Sequence, residues 1–286
     1  MGFDSMRRIL LAFLFFTQCL HDFVQGAPQV PCYFIFGDSL ADCGNNNNLN
    51  TLARPNYYPY GLDFPKGPTG RFTNGRTVAD VIGLLCSNYV LYNMTCSNND
   101  YMNNYFMPEF YPTSKEYTPQ QYADVLVKQY SEQLKRLYSY GARKVAIFGV
   151  GLIGQVPEMK NRFGANSSMV DDAAQLFSNK LLPLVNDLNR QLTCAKFTYI
   201  DTTAITITSA PLLAFLHPRD TCCELVKNLG ICIEGRPPCP LRGLYAYFDG
   251  FHPTEVVNKA FATRAYDRLL PSDASPYGIK QLAQLP

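Results

Sequence analysis

Histidine is scarce in this sequence, with three in 286 residues against ten cysteines. So few imidazoles leave a short list of metal ligands and general bases. Charge is scarce too. Asp, Glu, Lys and Arg make up 17% of the chain, the formal net charge is +2, and no block of one sign occurs. That excludes a nucleic-acid partner held through phosphate contacts. With 47% apolar residues, the same low charge excludes a disordered chain. After the first 26 residues no apolar run is long enough to cross a bilayer, which takes about 20 residues. The length allows one large domain or two small ones.

Residues 1–26 read as a secretory signal. Arg7 and Arg8 supply a positive start, Ile9 to Leu20 an apolar run, and Asp22 to Gly26 a polar, small-residue stretch before Ala27 and Pro28. The competing reading is a buried N-terminal helix. Cleavage leaves a mature domain of residues 27–286, expected to be secreted or vacuolar. It removes Cys19 and His21, so nine cysteines remain, and His217 and His252 become the only histidines. An odd count means at least one thiol stays free or pairs outside the chain. Asn93 and Asn166 open two glycosylation sequons.

Cys32 to Phe36 is a short apolar run ending at Gly37, which predicts a buried strand feeding a turn. Asn45 to Asn48 and the Pro/Gly/Tyr-rich stretch Arg54 to Asn74 predict a long irregular loop. Thr77 to Leu85 has helical spacing. Thr118-Pro119-Gln120-Gln121 is a helix start, with a Thr cap, a first-turn proline and Gln three residues on. Tyr122, Val125, Leu126, Tyr130, Leu134 and Leu137 continue that helix until Gly141. Strands are predicted at Val145 to Val150 and Phe197 to Ile200. Between them Val170 to Leu188 is helical, with a kink at Pro183. A last helix after Pro253 places Val256, Val257, Ala260, Phe261 and Ala265 on one stripe. Alternating strands and helices, with no internal repeat, predict one α/β domain with a parallel sheet covered on both faces.

Ser39, in Gly37-Asp38-Ser39-Leu40, follows the first strand, where a side chain emerges at the carboxyl edge of such a sheet. The turn can aim the Ser39 backbone N–H at a substrate carbonyl oxygen. The bland alternative is a strand-to-loop turn with a capping side chain. A serine nucleophile needs a base, and Asp249-Gly250-Phe251-His252-Pro253 offers one. Three residues of separation let the Asp249 carboxylate reach His252 Nδ1 and leave Nε2 to face Ser39. Alternatively His252 caps a helix and Asp249 sits in a surface turn. His217, followed by Pro218, Arg219 and Asp220, is the competing base and ranks lower, lying in a loop before a cysteine cluster. The Asn99 side chain, before Asp100 and Tyr101, can donate to a developing oxyanion; the alternative is a polar turn residue in an Asn-rich segment.

Taken together these pieces resemble the GDSL/SGNH hydrolase family, in its secreted plant esterase/lipase branch. The resemblance starts at Phe36-Gly37-Asp38-Ser39-Leu40 with Asp42 and Gly44-Asn45-Asn46-Asn47. It continues through Gly67-Pro68-Thr69-Gly70-Arg71-Phe72-Thr73-Asn74-Gly75-Arg76 and Asn99-Asp100-Tyr101 to Tyr140-Gly141-Ala142-Arg143-Lys144. Gly149-Val150-Gly151, Gly154, Pro157, Cys222-Cys223 and Phe248-Asp249-Gly250-Phe251-His252-Pro253-Thr254 complete it. It implies a flavodoxin-like three-layer α/β/α SGNH hydrolase fold that uses no metal or organic cofactor. It also implies that Ser39 attacks an ester carbonyl, His252 serves as base and then acid, and Asp249 orients His252. The Ser39 N–H and Asn99 then form part of the oxyanion hole. The expected partner is a small-molecule or lipid ester, not a nucleic acid.

The sequence departs from that family in three places. Only 23 residues (76–98) separate Gly75 from Asn99, where the family carries several tens more, including a strand and a Gly-rich turn. The implied sheet therefore lacks one central strand segment, and Gly75 is not assigned as the missing oxyanion donor. Ser97 stands where the family has glycine, and a Cβ there resists positive φ. Gln155 and Met169 stand at or near two family cysteine positions. Cys222, Cys223, Cys232 and Cys239 match the family's late cysteine cluster, read as disulfides rather than zinc ligands because adjacent cysteines seldom share one tetrahedral ion. Cys86 and Cys96 are candidates for the unpaired thiol. A second hypothesis, from another class, is an inactive secreted glycoprotein that keeps the fold and binds ligands.

Overall fold

Strands form where short β-branched and aromatic runs end in glycine or polar turns, and helices where longer amphipathic runs are capped. The computed structural model describes residues 33–85, 91–95, 97–211 and 217–286, so residues 1–26, expected to be a secretory signal, and Cys32, Cys86 and Cys96 lie outside the described residues. In chain order the principal elements are β1 (Tyr33–Phe36), α1 (Val78–Leu85), β2 (Leu91–Thr95), α2 (Pro119–Ser139), β3 (Lys144–Phe148), α3 (Pro157–Phe163) and α4 (Ser168–Gln191). They continue with β4 (Lys196–Ile200), α5 (Thr202–Ser209), β5 (His217–Thr221), β6 (Tyr245–Tyr247), α6 (Glu255–Asp267), β7 (Ala274–Ser275) and α7 (Ile279–Gln284).

The main sheet has the order β1-β2-β3-β4-β7. Its first four strands are parallel, with Ile35, Asn93, Ala146 and Thr198 in one row, and β7 runs antiparallel to β4. β5 and β6 form a separate parallel pair. Alternate residues of a strand face opposite sides. Val145, Ile147, Phe197 and Tyr199 therefore pack with Tyr130 and Leu134 of α2 and Phe177 and Leu181 of α4. Ala146, Phe148 and Ile200 pack with Ile82 of α1, Ala262 and Ala265 of α6, and Ile279 and Leu282 of α7. Burial on both faces is why β3 reads as a continuous apolar run. The chain is an α/β protein with three layers.

α2 begins as its sequence predicts: Thr118 Oγ1 accepts from the Gln121 N–H, Gln121 Oε1 accepts from the Thr118 N–H, and Pro119 occupies the first turn. It closes with Gly141 at φ +102°, the Gly141 N–H donating to Tyr138 O and the Ala142 N–H to Leu137 O. That pairing satisfies the last carbonyls and turns the chain into β3. Pro183 lies inside α4, and the helix runs on to Gln191.

Two readings need revision. Sequence reading assigns no strand to Leu91–Thr95, yet β2 sits there between β1 and β3. The buried face of α6 is Asn258, Ala262, Arg264, Ala265 and Tyr266, whereas Val256, Val257, Ala260 and Phe261 are half-buried. Polar partners cause the shift. Arg264 donates to the buried Asp273 carboxylate and to the Ser209 and Thr208 hydroxyls, and Asn258 Nδ2 donates to Arg76 O. A buried charge is tolerated when paired and hydrogen-bonded in this way.

Candidate active site

The turn after β1 is set by its acids. Asp38 Oδ1 accepts from the Leu40 N–H at 3.0 Å, and Asp42 Oδ1 accepts from Gly44 and Asn45 at 2.7 and 2.8 Å. Ser39 is held between them at the carboxyl end of β1, half-buried. Its backbone N–H meets no acceptor among the described residues. Asp38 Oδ2 accepts from Asn98 Nδ2 at 2.7 Å, tying this turn to the end of β2. Burial pushes the Asp38 carboxyl above the usual carboxylate range, against the lowering effect of Asn98, the Leu40 N–H and nearby His252.

On the other side, Asp249 folds its own segment around itself. Its Oδ1 accepts from the Phe251 and His252 backbone N–H groups, both at 2.8 Å. The tight turn brings His252 Nδ1 to 2.8 Å from the carboxylate oxygens. Gly250 is required in that turn, since a Cβ there would lie 2.8 Å from the Gly230 carbonyl oxygen, which accepts the Gly250 N–H. His252 Nε2 is 2.7 Å from Ser39 Oγ, a contact spanning 213 residues. With Asp249 accepting at Nδ1, the neutral ring carries its proton there, and Nε2 is left to accept from the Ser39 hydroxyl. Asp249 is 0% and His252 5% exposed, and the Phe72 ring lies 4.6 Å from the imidazole.

The Gly67–Arg76 segment holds the two halves in place. Arg71 makes two 2.7 Å bonds to the Asp80 carboxylate, which also accepts from the Thr77 N–H at the start of α1. Asn74 Oδ1 accepts from the Glu255 N–H and so caps α6, next to His252 in sequence. Gly75 packs against the Glu255 carboxylate, which a Cβ would meet at 2.6 Å.

Sequence reasoning missed three contacts. Tyr60, wholly buried, donates its hydroxyl to Asp249 Oδ2 at 2.6 Å. Phe72 lies against the imidazole, and Asn98 rather than its neighbour bonds the Ser39 turn. Nothing in local spacing links Tyr60 to a residue 189 positions away; Phe72 at least lay within a quoted motif. Asn99 itself is exposed. Its Oδ1 accepts from Asn103 Nδ2, and its own Nδ2 is uncommitted among the described residues. His217 lies elsewhere: it is exposed in β5, 3.5 Å from Asp220, with its ring 4.7 Å from that of Tyr245 and tilted to it.

The late cysteines pair as Cys222–Cys239 and Cys223–Cys232, while Cys43 and Cys194 are free and exposed. Gln155 Nε2 and the Gly154 N–H both donate to Asp171, at 2.6 Å, so a polar contact links the Gln155 turn to α4. Among the described residues no group of three or more His, Cys, Asp or Glu is placed to hold a metal ion. A cavity of about 300 Å³ borders the turn after β1, lined by Gly37, Asp38, Ser97, Asp100, Leu126 and Tyr130 among others, but not by Ser39, Asp249 or His252. A second, of about 400 Å³, is lined by Asp63, Arg242, Glu255 and Lys259 and includes none of Ser39, Asp249 or His252.

The protein is thus an α/β protein in which a serine, a histidine and a buried aspartate form one hydrogen-bonded row. The chain belongs to the GDSL-like lipase/acylhydrolase family, whose model matches residues 90–265. The Ser39 turn lies ahead of the matched stretch. Among its relatives in Arabidopsis thaliana, GDSL esterase/lipase At1g29660 is 36% identical over 342 positions, covering 92% of this chain and 94% of the relative. GDSL esterase/lipase At5g45670 is 37% identical over 341 positions, covering 90% and 93%. Both alignments are longer than the 286-residue chain, so these relatives carry tens of residues that it lacks.

Proposed function

We propose that this chain is a secreted serine esterase acting on small-molecule or lipid carboxylic esters, with Ser39 as nucleophile, His252 as base and Asp249 as its orienting partner. The observation that carries this reading is the hydrogen-bonded row Asp249–His252–Ser39, with both links at 2.7–2.8 Å. Ser39 Oγ attacks the ester carbonyl as its proton passes to His252 Nε2. Asp249 stabilises the imidazolium that forms. The Ser39 N–H and Asn99 Nδ2, the donors that the family resemblance implies, donate to the oxyanion; neither has another acceptor among the described residues. Collapse of the tetrahedral intermediate transfers the proton from His252 to the leaving alcohol and leaves an acyl-serine. Water, activated by the same imidazole, then releases the acid. Every step uses side chains and backbone, so no metal or organic cofactor is needed.

The fold behind this proposal is the flavodoxin-like arrangement of residues 27–286, a fold that elsewhere carries a further strand outside the first. No strand lies outside β1 among the described residues, in keeping with a shortened segment between Gly75 and Asn99. Secretion rests on residues 1–26 and on the two disulfides, which form in oxidising compartments. No helix among the described residues is long and apolar enough to cross a membrane.

The test is hydrolysis of p-nitrophenyl acetate and butyrate by the mature protein and by Ser39→Ala. The variant should lose about 10³-fold or more in kcat/KM. A fluorophosphonate probe should label wild type and fail on His252→Ala. The surplus length of the relatives favours the rival reading, an inactive member that keeps the fold. Equal rates for wild type and Ser39→Ala would establish that rival instead.

A further inference from the structure

Asp249 is wholly buried, and a buried carboxylate must be hydrogen-bonded to stay ionised. Two of its donors are backbone N–H groups of its own turn, and a third is His252 Nδ1. The fourth, Tyr60, comes from a distant loop and is the one group whose loss leaves the turn's own bonds in place. The direction of its proton is fixed. Tyr60 Oη accepts from the Cys232 backbone N–H at 3.0 Å, so its hydrogen points at Asp249 Oδ2, 2.6 Å away. The ring cannot swing, because it is fully buried and meets Tyr57, Phe72 and Phe248 edge-on, with centroids 5.3–6.2 Å apart.

Cys232 is itself anchored. Its carbonyl accepts from Tyr57 Oη at 2.8 Å, and its sulfur is bonded to Cys223. The Cys223 N–H in turn donates to the carbonyl of Phe248, the residue before Asp249, at 3.0 Å. The path from Asp249 through Tyr60, Cys232, the disulfide, Cys223 and Phe248 thus returns to Asp249.

We propose that Tyr60 is a positioning residue of this site: its hydroxyl, held by the Cys232 backbone N–H, fixes the Asp249 carboxylate and so sets the orientation and basicity of His252. The proposal rests on the triad reading above, but its primary readout does not require turnover. Burial and the neighbouring Asp249 charge push the Tyr60 phenol well above its ordinary value, so it keeps its proton wherever histidine titrates. Tyr57, also facing Asp249, is pushed up to about 12 by burial, by Asp249 and by Glu234. Asp38 faces His252 and is common to every protein compared below.

The experiment is NMR titration of the imidazole nitrogens in the mature protein and in Tyr60→Phe, with exposed His217 as internal reference. Without the hydroxyl, more of the Asp249 charge acts on the ring. The His252 midpoint should rise by about one pH unit, while His217 stays put. On p-nitrophenyl acetate kcat should fall about tenfold with KM within twofold. An unchanged His252 midpoint overturns the proposal, even if the variant melts earlier. Tyr57→Phe removes the donor to the Cys232 carbonyl but keeps the Tyr60 hydroxyl on Asp249, and should move the midpoint much less; a shift as large as that of Tyr60→Phe would assign the effect to loop packing and overturn it too. If Tyr60→Phe does not fold, 3-fluorotyrosine placed at position 60 keeps the ring and strengthens the donor. The midpoint should then fall, and no fall refutes the idea. If wild type turns over no faster than Ser39→Ala while the midpoint still moves in Tyr60→Phe, the esterase reading fails and Tyr60 keeps its positioning role.

Discussion

Ser97 holds a left-handed backbone conformation, φ +82° and ψ −1°, at the junction between β2 and the turn carrying Asn98 and Asn99. An L-residue there is strained by its Cβ, which glycine lacks. The cost is local, and the Asn98–Asp38 bond just beyond it shows that the junction keeps its shape despite the side chain. Ser97→Gly should therefore raise stability by about 0.5–1 kcal/mol, the relief of strain exceeding the entropy glycine adds to the unfolded chain. Thermal or denaturant unfolding checks this, and a lower midpoint would contradict it. At this scale Ser39, Asp249 and His252 were legible because each sits in a short motif with its own turn chemistry. Tyr60 was not, because its role depends on a contact made only when residues 189 positions apart meet.

Turns and crosslinks decide how elements hold the site. The Cys223–Cys232 bridge closes a loop with a sequence separation of 9. Both ends bear on the site, Cys223 through Phe248 and Cys232 through Tyr60. A loop of that size is expected to contribute about 2–3 kcal/mol, chiefly by restricting the unfolded chain. The double variant Cys223→Ala/Cys232→Ala should unfold at correspondingly lower denaturant concentration, measured by circular dichroism. An unchanged midpoint would mean the loop is held by its hydrogen bonds alone. The capped start and glycine-closed end of α2 were readable because local chemistry fixes them. The buried face of α6 was not. Arg264 and Asn258 turn inward because Asp273, Ser209 and the Arg76 carbonyl await them, and hydrophobic periodicity carries no record of distant polar partners.

For the whole molecule the question is what shortening leaves behind. β1 stands at one edge of the sheet among the described residues, with Phe34, Ile35 and Phe36 39–46% exposed. Four parallel strands and two covered faces nevertheless keep the Ser39 turn against the His252 turn. The same architecture separates the two sequons. Asn166 is exposed in a short turn before α4, whereas Asn93 occupies the middle of β2, paired with both Ile35 and Ala146. Expression through a secretory pathway should yield a chain beginning at Ala27 with glycan on Asn166 and none on Asn93, as read by mass spectrometry of the secreted protein. Retention of residues 1–26 would refute the signal reading, and glycan on Asn93 would be incompatible with β2 as a paired inner strand.

By itself the sequence determined the α/β class, the helix caps, the cysteine cluster and the three residues of the Ser39, Asp249 and His252 row. Each of these is written in residues near one another, where turn geometry and periodicity act directly. Tertiary structure alone decided which of two asparagines ties the Ser39 turn, how four cysteines pair, and that Tyr60 reaches Asp249. Those outcomes depend on which distant segments share a buried space, and only packing of the whole chain settles that.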